Sequence, residues 1–505
     1  MLEINGSNMT INSFSKVVLD YEEVRISSSS KDAVIKARNF VKEVVKSEIP
    51  TYGINTGFGK LSDVSIDKEN LSNLQVNLLK SHACGVGKPF SEAIVRGMLL
   101  LRINALIKGY SGIRFVVIEK MLELLNKNVI PVVYSQGSLG ASGDLAPLAH
   151  MALVLLGMGD VVYKGKTMSA KEGLKLASIE PLDSLEAKEG LCLINGTQAM
   201  TSVAALAVKK AYDLMYLSEN AFALSMEALN GITDIFYDQI HVLRNQPGQI
   251  QVAKTLNDVL KDSKLTTKQG ELRVQDAYSL RCSPQVLGAS LDAIKYCKNV
   301  VENEMNAVTD NPLVFEDIKK VISAGNFHGQ PIALAMDFLA VAISELGNIS
   351  ERRLERMVNS SLSNGLPPFL VKEPGINSGF MIVQYSAASL VSENKSISHP
   401  ASVDSIPSSA NQEDHVSMGT ISARKALDII ENSEKVLAME IFTALQAIDF
   451  REKDKLSSHT KKLYQYIRKE IPFIEKDTIM YKKIHKMIEI VQRKEFKEMI
   501  KLEEK

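Results

Sequence analysis

Hydrophobic residues recur along much of the chain at the spacing of one helix face. In residues 31–47, valine, isoleucine and alanine stand three and four positions apart, which is the pattern of an amphipathic helix. Residues 197–230 hold long runs of alanine and leucine, a composition suited to a buried helix. The same spacing predicts helices over 92–107, 113–127, 144–156, 285–306, 328–358, 376–394 and 414–447. Strand-like segments are few, and 129–134 and 160–168 are the best candidates. The pattern therefore predicts a mainly α fold built on a bundle of long helices.

Composition and charge narrow the class of protein. Hydrophobic residues make up 45% of the 505 positions, enough for a large core. Basic and acidic residues both number 59, and this zero net charge argues against nucleic acid or an anionic membrane as the main partner. We find no apolar run of about 18 residues that would predict a membrane span. The first residues lack the pattern of a signal peptide, and we expect a cytoplasmic protein.

The cysteines indicate neither a metal site nor a disulfide framework. Cys84, Cys192, Cys282 and Cys297 form no CxxC pair, and the chain has no HExxH zinc motif. We therefore expect free thiols in a reducing compartment and a site that uses no metal.

The tripeptide Ala141-Ser142-Gly143 carries the most specific chemistry in the sequence. Three small residues leave the backbone unhindered, and glycine lets backbone groups approach closely. If the amide nitrogen of Gly143 reaches the carbonyl carbon of Ala141, a five-membered ring can close. Loss of two waters, one of which carries away the Ser142 hydroxyl, leaves an exocyclic methylidene group, a strong electrophile. Taken alone, the tripeptide is also typical of a turn before a helix.

The longer segment Gly137–His150, GSLGASGDLAPLAH, resembles the signature of the aromatic amino-acid ammonia-lyases and aminomutases. That family builds a methylidene-imidazolone (MIO) from Ala-Ser-Gly, so the resemblance implies this protein-derived group, with Ser142 as dehydroalanine and no added cofactor. It also implies the helical architecture of the fumarase/aspartase-like superfamily and a homotetramer with sites shared between subunits. We expect a smaller mixed N-terminal domain over 1–195, which carries the electrophile, and long central helices and C-terminal helices over 196–505.

Tyr52 stands in a second segment, Tyr52–Gly59, which resembles the mobile loop of the family. The resemblance makes Tyr52 the catalytic base. A phenol has a pKa of about 10, so this base would need positive potential nearby to work near neutral pH.

The segment that runs from Gln275 through Tyr278 to Arg281 resembles the Gln-Asp-x-Tyr-Ser-x-Arg stretch of the family. If it is helical, the spacing places all three side chains on roughly one side. The resemblance makes Arg281 the clamp for the substrate carboxylate, because a guanidinium matches a carboxylate with two hydrogen bonds. It places catalytic Tyr278 and substrate-binding Gln275 beside the electrophile.

Three further residues are expected near the electrophile. Asn195 resembles the asparagine of the family that lies by the electrophile and the substrate, although asparagine before a helical run is also typical of a helix cap. Phe327 resembles a residue near the ring. Asp144 is an adjacent carboxylate that could assist ring formation, and a helix that starts there would place its positive end by the electrophile.

Two residues address the choice of amino acid, since family members act on histidine, tyrosine or phenylalanine. His82 stands where the resemblance places the selectivity residue, and a histidine there is typical of members that take polar rings. Glu413 stands where members that take tyrosine or phenylalanine usually have glutamine. A carboxylate can pair with an imidazole but would be poorly matched to a phenyl or phenol ring.

These residues lead to an expected reaction, the non-oxidative deamination of L-histidine to trans-urocanate and ammonia, which is the first step of histidine breakdown. A lyase that acts on tyrosine, or a 2,3-aminomutase on the same scaffold, is the nearest alternative. A non-catalytic helical scaffold is the alternative from another class of protein.

Overall fold

Helices dominate the computed structural model of the protein, which describes residues 1–47, 49–59, 64, 66–67 and 70–501. In chain order they are α1 (Ile11–Leu19), α2 (Ser28–Ser47), α3 (Leu71–His82), α4 (Glu92–Leu106), α5 (Phe115–Asn126), α6 (Leu145–Leu153), α7 (Ala170–Leu176), α8 (Glu189–Ile194), α9 (Gln198–Ala228), α10 (Asp238–Arg244), α11 (Pro247–Leu260), α12 (Tyr278–Arg281), α13 (Ser283–Met305), α14 (Gln330–Val358), α15 (Met381–Ile397), α16 (Gly419–Ile448), α17 (Ser458–Arg468), α18 (Met480–Gln492) and α19 (Lys494–Ile500). The predicted mainly α fold is confirmed. Two predicted boundaries are wrong. Residues 376–380 precede α15, and residues 414–418 lie in the loop before α16, where Met418 takes a left-handed φ of 56°.

The strands are short. They are β1 (Leu2–Ile4), β2 (Val24–Ile26), β3 (Val86–Pro89), β4 (Ile130–Pro131), β5 (Tyr134–Gln136), β6 (Asp160–Tyr163), β7 (Lys166–Ser169), β8 (Leu313–Phe315) and β9 (Lys320–Ile322). β1 and β2 pair in parallel; β3–β5, β4–β6–β7 and β8–β9 are antiparallel. The predicted segment 160–168 is the β6–β7 hairpin, which turns at Lys164 and Gly165 with φ of 49° and 74°.

The described residues form two units that alternate along the sequence. The first comprises Met1–Lys209, Cys297–Asp337 and Pro400–Arg424, and the second comprises Lys210–Tyr296, Phe338–His399 and Lys425–Lys505. All the strands given above fall in the first unit, which is therefore mixed, whereas the second is helical. The division expected between residues 195 and 196 stays a prediction.

Long apolar helices supply much of the buried surface. By length and composition alone, two stretches would suffice to cross a membrane: Glu189–Ala228, whose most apolar window is entirely buried in the protein, and Gln330–Val358, whose window is 61% buried. In the second unit, the fully buried Arg353 and Glu440 form an ion pair, and the hydroxyls of Ser225 and Ser350 donate to the same carboxylate at 2.7 and 2.6 Å. These bonds satisfy a carboxylate that would otherwise be costly to bury.

Candidate active site

Segments of the first unit bring five of the predicted site residues to one cavity of about 470 Å³. The end of α3 supplies His82, the turn before α6 supplies Ser142, and the residue after α8 is Asn195. Tyr52 and Glu413 come from loops. Apolar residues form much of the wall: Phe58, Leu74, Leu78, Leu145, Leu191 and Ile194. A mostly apolar cavity of this size with a few converging polar groups is the usual form of a small-molecule site.

Ala141–Gly143 form a tight turn between β5 and α6. Gly143 has a φ of +74°, and a Cβ built on it would lie 2.3 Å from the carbonyl oxygen of Gly196, so the position requires glycine. The N–H of Asp144 donates to the same carbonyl at 2.7 Å. The turn is therefore held closely against the backbone that precedes α9.

Glu413 is the direct partner of the turn. The Ser142 hydroxyl donates a hydrogen bond of 2.8 Å to Oε1 of Glu413, and the Ser408 hydroxyl donates one of 2.9 Å to Oε2. Backbone hydrogen bonds join Ser408 and Glu413 in both directions, at 2.9 and 3.2 Å. The carboxylate is therefore fixed in position from two sides.

His82 lies in the same cavity with a neutral ring. Its Nδ1 is 3.0 Å from the hydroxyl of Ser81. Burial lowers the pKa of His82, and the backbone carbonyl of Leu78 and the carboxylate of Glu413 offset only part of this effect. Since a lowered imidazole pKa lies below neutrality, His82 is available as a neutral hydrogen-bonding group at neutral pH.

The surroundings of Tyr52 shift the pKa of its phenol in both directions. Burial raises its pKa, and the Glu413 carboxylate raises it further, while the N–H of Gly59 and the ammonium group of Lys188 lower it. The Gly59 N–H donates to the Tyr52 hydroxyl at 3.4 Å. The net result is a pKa above the ordinary value of a tyrosine. Lys188 thus supplies positive potential near the phenol, but it lowers the pKa of Tyr52 by less than burial raises it.

The cation near Tyr52 belongs to a buried charge cluster made of Lys188, Arg102 and Asp310. Lys188 Nζ is 2.9 Å from Asp310 Oδ2, Arg102 is 3.9 Å from Oδ1, and all three side chains are at most 1% exposed. Burial raises the pKa of the neighbouring Cys192 to about 12, so its thiol is neutral. Two cations therefore face one carboxylate. Sequence analysis missed this cluster, whose only signal is a charged pair, Lys188–Glu189, at the head of an apolar run.

Asn195 presents an unsatisfied acceptor at the cavity. Its side chain is 4% exposed, and no described residue donates a hydrogen bond to its Oδ1. A buried amide oxygen without a partner is costly in a protein interior and marks a place where a ligand can supply the donor.

Asp144 is fully buried directly beside the turn. Its carboxylate accepts hydrogen bonds from the hydroxyls of Ser138, at 2.9 Å, and Thr420, and from the N–H of Met200 at 2.8 Å. Burial nevertheless raises the pKa of Asp144, so the group can hold a proton more readily than an ordinary aspartate.

The remaining predicted site residues lie elsewhere. Phe327 belongs to the first unit and is half-buried in the turn before α14. Gln275, Tyr278 and Arg281 belong to the second unit. Gln275 precedes the helix instead of lying on it, because α12 begins at Tyr278. The Arg281 guanidinium lies 4.7 Å from the centre of the Tyr278 ring, and no described residue accepts a hydrogen bond from its buried Nε.

Comparison with known proteins covers nearly the whole chain. The family model described as aromatic amino acid lyase matches residues 9–469. The chain is 55% identical over 493 residues to the histidine ammonia-lyase of Bacillus subtilis (strain 168), covering 98% of this chain and 97% of that protein. The chain belongs to the aromatic amino acid lyase family. The family resemblance expected from the sequence motifs is thus confirmed.

Solved structures within this family share the fold. Histidine ammonia-lyase from Trypanosoma cruzi is similar with a TM-score of 0.92 and 40% identity, over 99% of this chain and 94% of that one. Tyrosine aminomutase from Streptomyces globisporus is similar with a TM-score of 0.95 and 37% identity, over 99% and 98%. Because structures with different activities are this similar, the fold of the lyase family leaves the substrate to be argued from the site.

Proposed function

We propose that this member of the lyase family is a histidine ammonia-lyase, which converts L-histidine to trans-urocanate and ammonia. The observation that carries the proposal is the position of the Glu413 carboxylate: it lies 2.8 Å from the Ser142 hydroxyl, the group lost on ring formation, in the cavity that also contains His82. A carboxylate accepts a hydrogen bond from an imidazole N–H, whereas a phenyl ring would leave it buried without that partner. Relatives named histidine ammonia-lyase, such as that of Bacillus subtilis at 55% identity, support the same substrate.

The turn Ala141–Gly143 suits the methylidene-imidazolone group of the proposal. Ring closure needs the Gly143 nitrogen to approach the Ala141 carbonyl, and the left-handed Gly143, with the Gly196 carbonyl where a Cβ would stand, keeps side-chain bulk out of that approach. Asp144, whose pKa is raised by burial, is the adjacent group that can hold a proton during ring formation. Once formed, the group supplies an electrophilic carbon for the amine of the substrate.

Side chains of the cavity would then orient the substrate and move its proton. Glu413 and neutral His82 hold the imidazole ring, and the unsatisfied Oδ1 of Asn195 accepts a hydrogen bond from the substrate amine. Tyr52 removes the β-proton as a phenolate. The Lys188 ammonium group favours that phenolate, because an opposite charge nearby stabilises the ionised form.

We further propose that the protein is a cytoplasmic homotetramer whose subunits share their sites. Leu334, Phe338 and Val341 form a stripe on α14 at spacings of four and three, with exposed fractions of 52%, 48% and 53%. Such an apolar stripe is typical of a surface that packs against another chain. Arg281, with its unsatisfied Nε, is the proposed carboxylate clamp, and Tyr278, Gln275 and Phe327 are its proposed companions in the assembled site. The free thiols of the four cysteines are consistent with a reducing compartment.

The test presents purified protein with L-histidine, L-tyrosine and L-phenylalanine in parallel and follows ultraviolet absorbance and ammonia release. Urocanate from L-histidine, with little product from the other two, is the expected outcome. Cinnamate-type product from tyrosine, or a β-amino acid, would replace the proposal with a tyrosine lyase or an aminomutase. Intact mass supplies an independent readout, because the subunit should be lighter than its sequence by two waters. Light scattering measures the proposed tetramer.

A further inference from the structure

A second cavity, of about 940 Å³, lies entirely among helices of the second unit. Its lining comes from α9, α11, α13, α17 and α19, from Lys261 just after α11, and from Lys501 at the end of the described chain. Its volume is within the range of pockets that hold small molecules and exceeds that of the candidate active site. All of its lining residues differ from those assigned to the reaction above.

The lining of this cavity is strongly basic. Five lysines contribute to it: Lys254, Lys261, Lys295, Lys462 and Lys501. Among the described residues of the lining, Glu219 and Asp258 are the two that carry carboxyl groups. Within the described chain, Lys254, Lys261 and Lys462 form no salt bridge, although Lys261 also lies near the Asp262 carboxylate. Lys501 is paired with Glu498 at 3.0 Å, so four of the five lysines bring to the cavity a charge that no salt bridge among the described residues neutralises.

Glu219 supplies a second and independent observation. Its side chain is 5% exposed and lines the cavity, and no described residue forms a hydrogen bond or ion pair with its carboxyl group. Burial raises the pKa of Glu219 to about 8, so at neutral pH the group is mostly a neutral donor and acceptor. A buried carboxyl group without a partner costs stability, and a bound ligand would supply the missing hydrogen bond.

We propose that this cavity binds a phosphorylated organic molecule of about the size of a nucleotide. The lysines pair with the phosphate oxygens, because several clustered cations suit a ligand with several negative charges better than a monocarboxylate. Met215 and Leu291, both buried, and the rings of Tyr212 and Tyr216 line the cavity and offer surface to the organic part. The Glu219 carboxyl group forms a hydrogen bond with the organic part of the ligand.

The test uses the full-length protein and isothermal titration calorimetry with ATP and with inorganic tripolyphosphate, which carry the same number of phosphates. We expect ATP to bind at one site per chain and more tightly than tripolyphosphate. The double variant Lys254→Gln/Lys462→Gln should weaken ATP binding about tenfold, whereas the control Lys476→Gln/Lys482→Gln, which removes two exposed lysines outside the cavity, should change it less than about twofold. If tripolyphosphate binds as tightly as ATP, the cavity does not recognise an organic group. If the control variant loses as much ATP affinity as Lys254→Gln/Lys462→Gln, ATP does not bind in this cavity.

Glu219 allows a sharper comparison. Glu219→Gln keeps a neutral hydrogen-bonding group and should retain ATP binding, while Glu219→Leu should weaken it. Because Glu219→Leu removes a buried carboxyl group that has no protein partner, the same variant should melt at a higher temperature than the original chain. Undiminished ATP binding in Glu219→Leu, or no binding of either phosphate to the original protein, would overturn the proposal. Neither measurement depends on the proposed ammonia-lyase reaction, so the two proposals fail separately.

Discussion

The substitution Glu413→Gln tests the substrate assignment with little change of shape. Glu413 accepts hydrogen bonds from Ser142 and Ser408, and its backbone is bonded to Ser408 in both directions. In the active protein of the proposal the Ser142 hydroxyl has left as water, so a glutamine needs to keep only its hydrogen bond with the Ser408 hydroxyl. The main change is therefore the loss of one negative charge at the proposed imidazole site.

The expected magnitude follows from the hydrogen bond that the charge strengthens. A hydrogen bond to a charged group contributes about 1.5–3 kcal/mol and a neutral one about 0.5–1.5 kcal/mol. The difference of about 1.5 kcal/mol corresponds to about a tenfold loss in kcat/KM for L-histidine. L-Tyrosine and L-phenylalanine have no imidazole N–H to lose, so their kcat/KM should fall much less.

The pH profile supplies a second readout with a definite sign. The Glu413 carboxylate raises the pKa of Tyr52, so removing its charge allows the phenolate to form at lower pH. When kcat/KM for L-histidine is plotted against pH, the rising limb of the Glu413→Gln profile should lie at lower pH than that of the original protein. The control Ser408→Ala removes one hydrogen bond to Glu413 but no charge, and its limb should stay in place. An equal loss on all three amino acids, together with an unmoved limb, would refute the reasoning.

Other predictions address the electrophile, the base and the turn. Ser142→Ala should retain its full sequence mass and lose activity by orders of magnitude, at least about 4 kcal/mol of barrier, as mass spectrometry and ammonia release will show. Tyr52→Phe should lower kcat about 10²–10⁴-fold, with L-histidine binding measured by calorimetry almost unchanged. Lys188→Met should move the rising limb of the pH profile towards alkali, opposite to Glu413→Gln, because a charge that lowers the pKa of Tyr52 is lost. Gly196→Ala should destabilise the fold by about 1–3 kcal/mol in thermal melts, because its Cβ would lie 2.3 Å from a guanidinium nitrogen, whereas Gly325→Ala, with open space around it, should not.

The long helices could be predicted from sequence because a helix of several turns repeats its apolar spacing many times. α9 and α14 were expected within a few residues of their observed ends. Strands such as β1 and β2 contain three residues each, too few to show an alternating period, and their pairing joins segments about twenty residues apart. Alternation of the two units along the chain follows from packing, which no local pattern encodes.

The candidate site, like the fold, could be predicted from the sequence only in part. Motif resemblance singled out Ser142 and Glu413, and the structure brings these residues together although 271 positions separate them. It gave no reason to expect Lys188 and Asp310, 122 positions apart, to form a buried ion pair. A charged residue in a sequence is ordinarily read as a surface residue, so buried charge clusters are identified only when their partners are known.

The charges around Tyr52 link the choice of substrate to the strength of the base. Within the proposal, Glu413 is needed to hold an imidazole, yet its negative charge and the apolar wall both make the Tyr52 phenolate harder to form. The Gly59 N–H and the Lys188 ammonium group lower the pKa of Tyr52 instead. Burying two cations with one carboxylate costs free energy unless another interaction of the extra positive charge offsets that cost. Within the proposal, stabilisation of the Tyr52 phenolate beside Glu413 is such a gain, because Lys188 lowers the pKa of Tyr52 while Glu413 raises it.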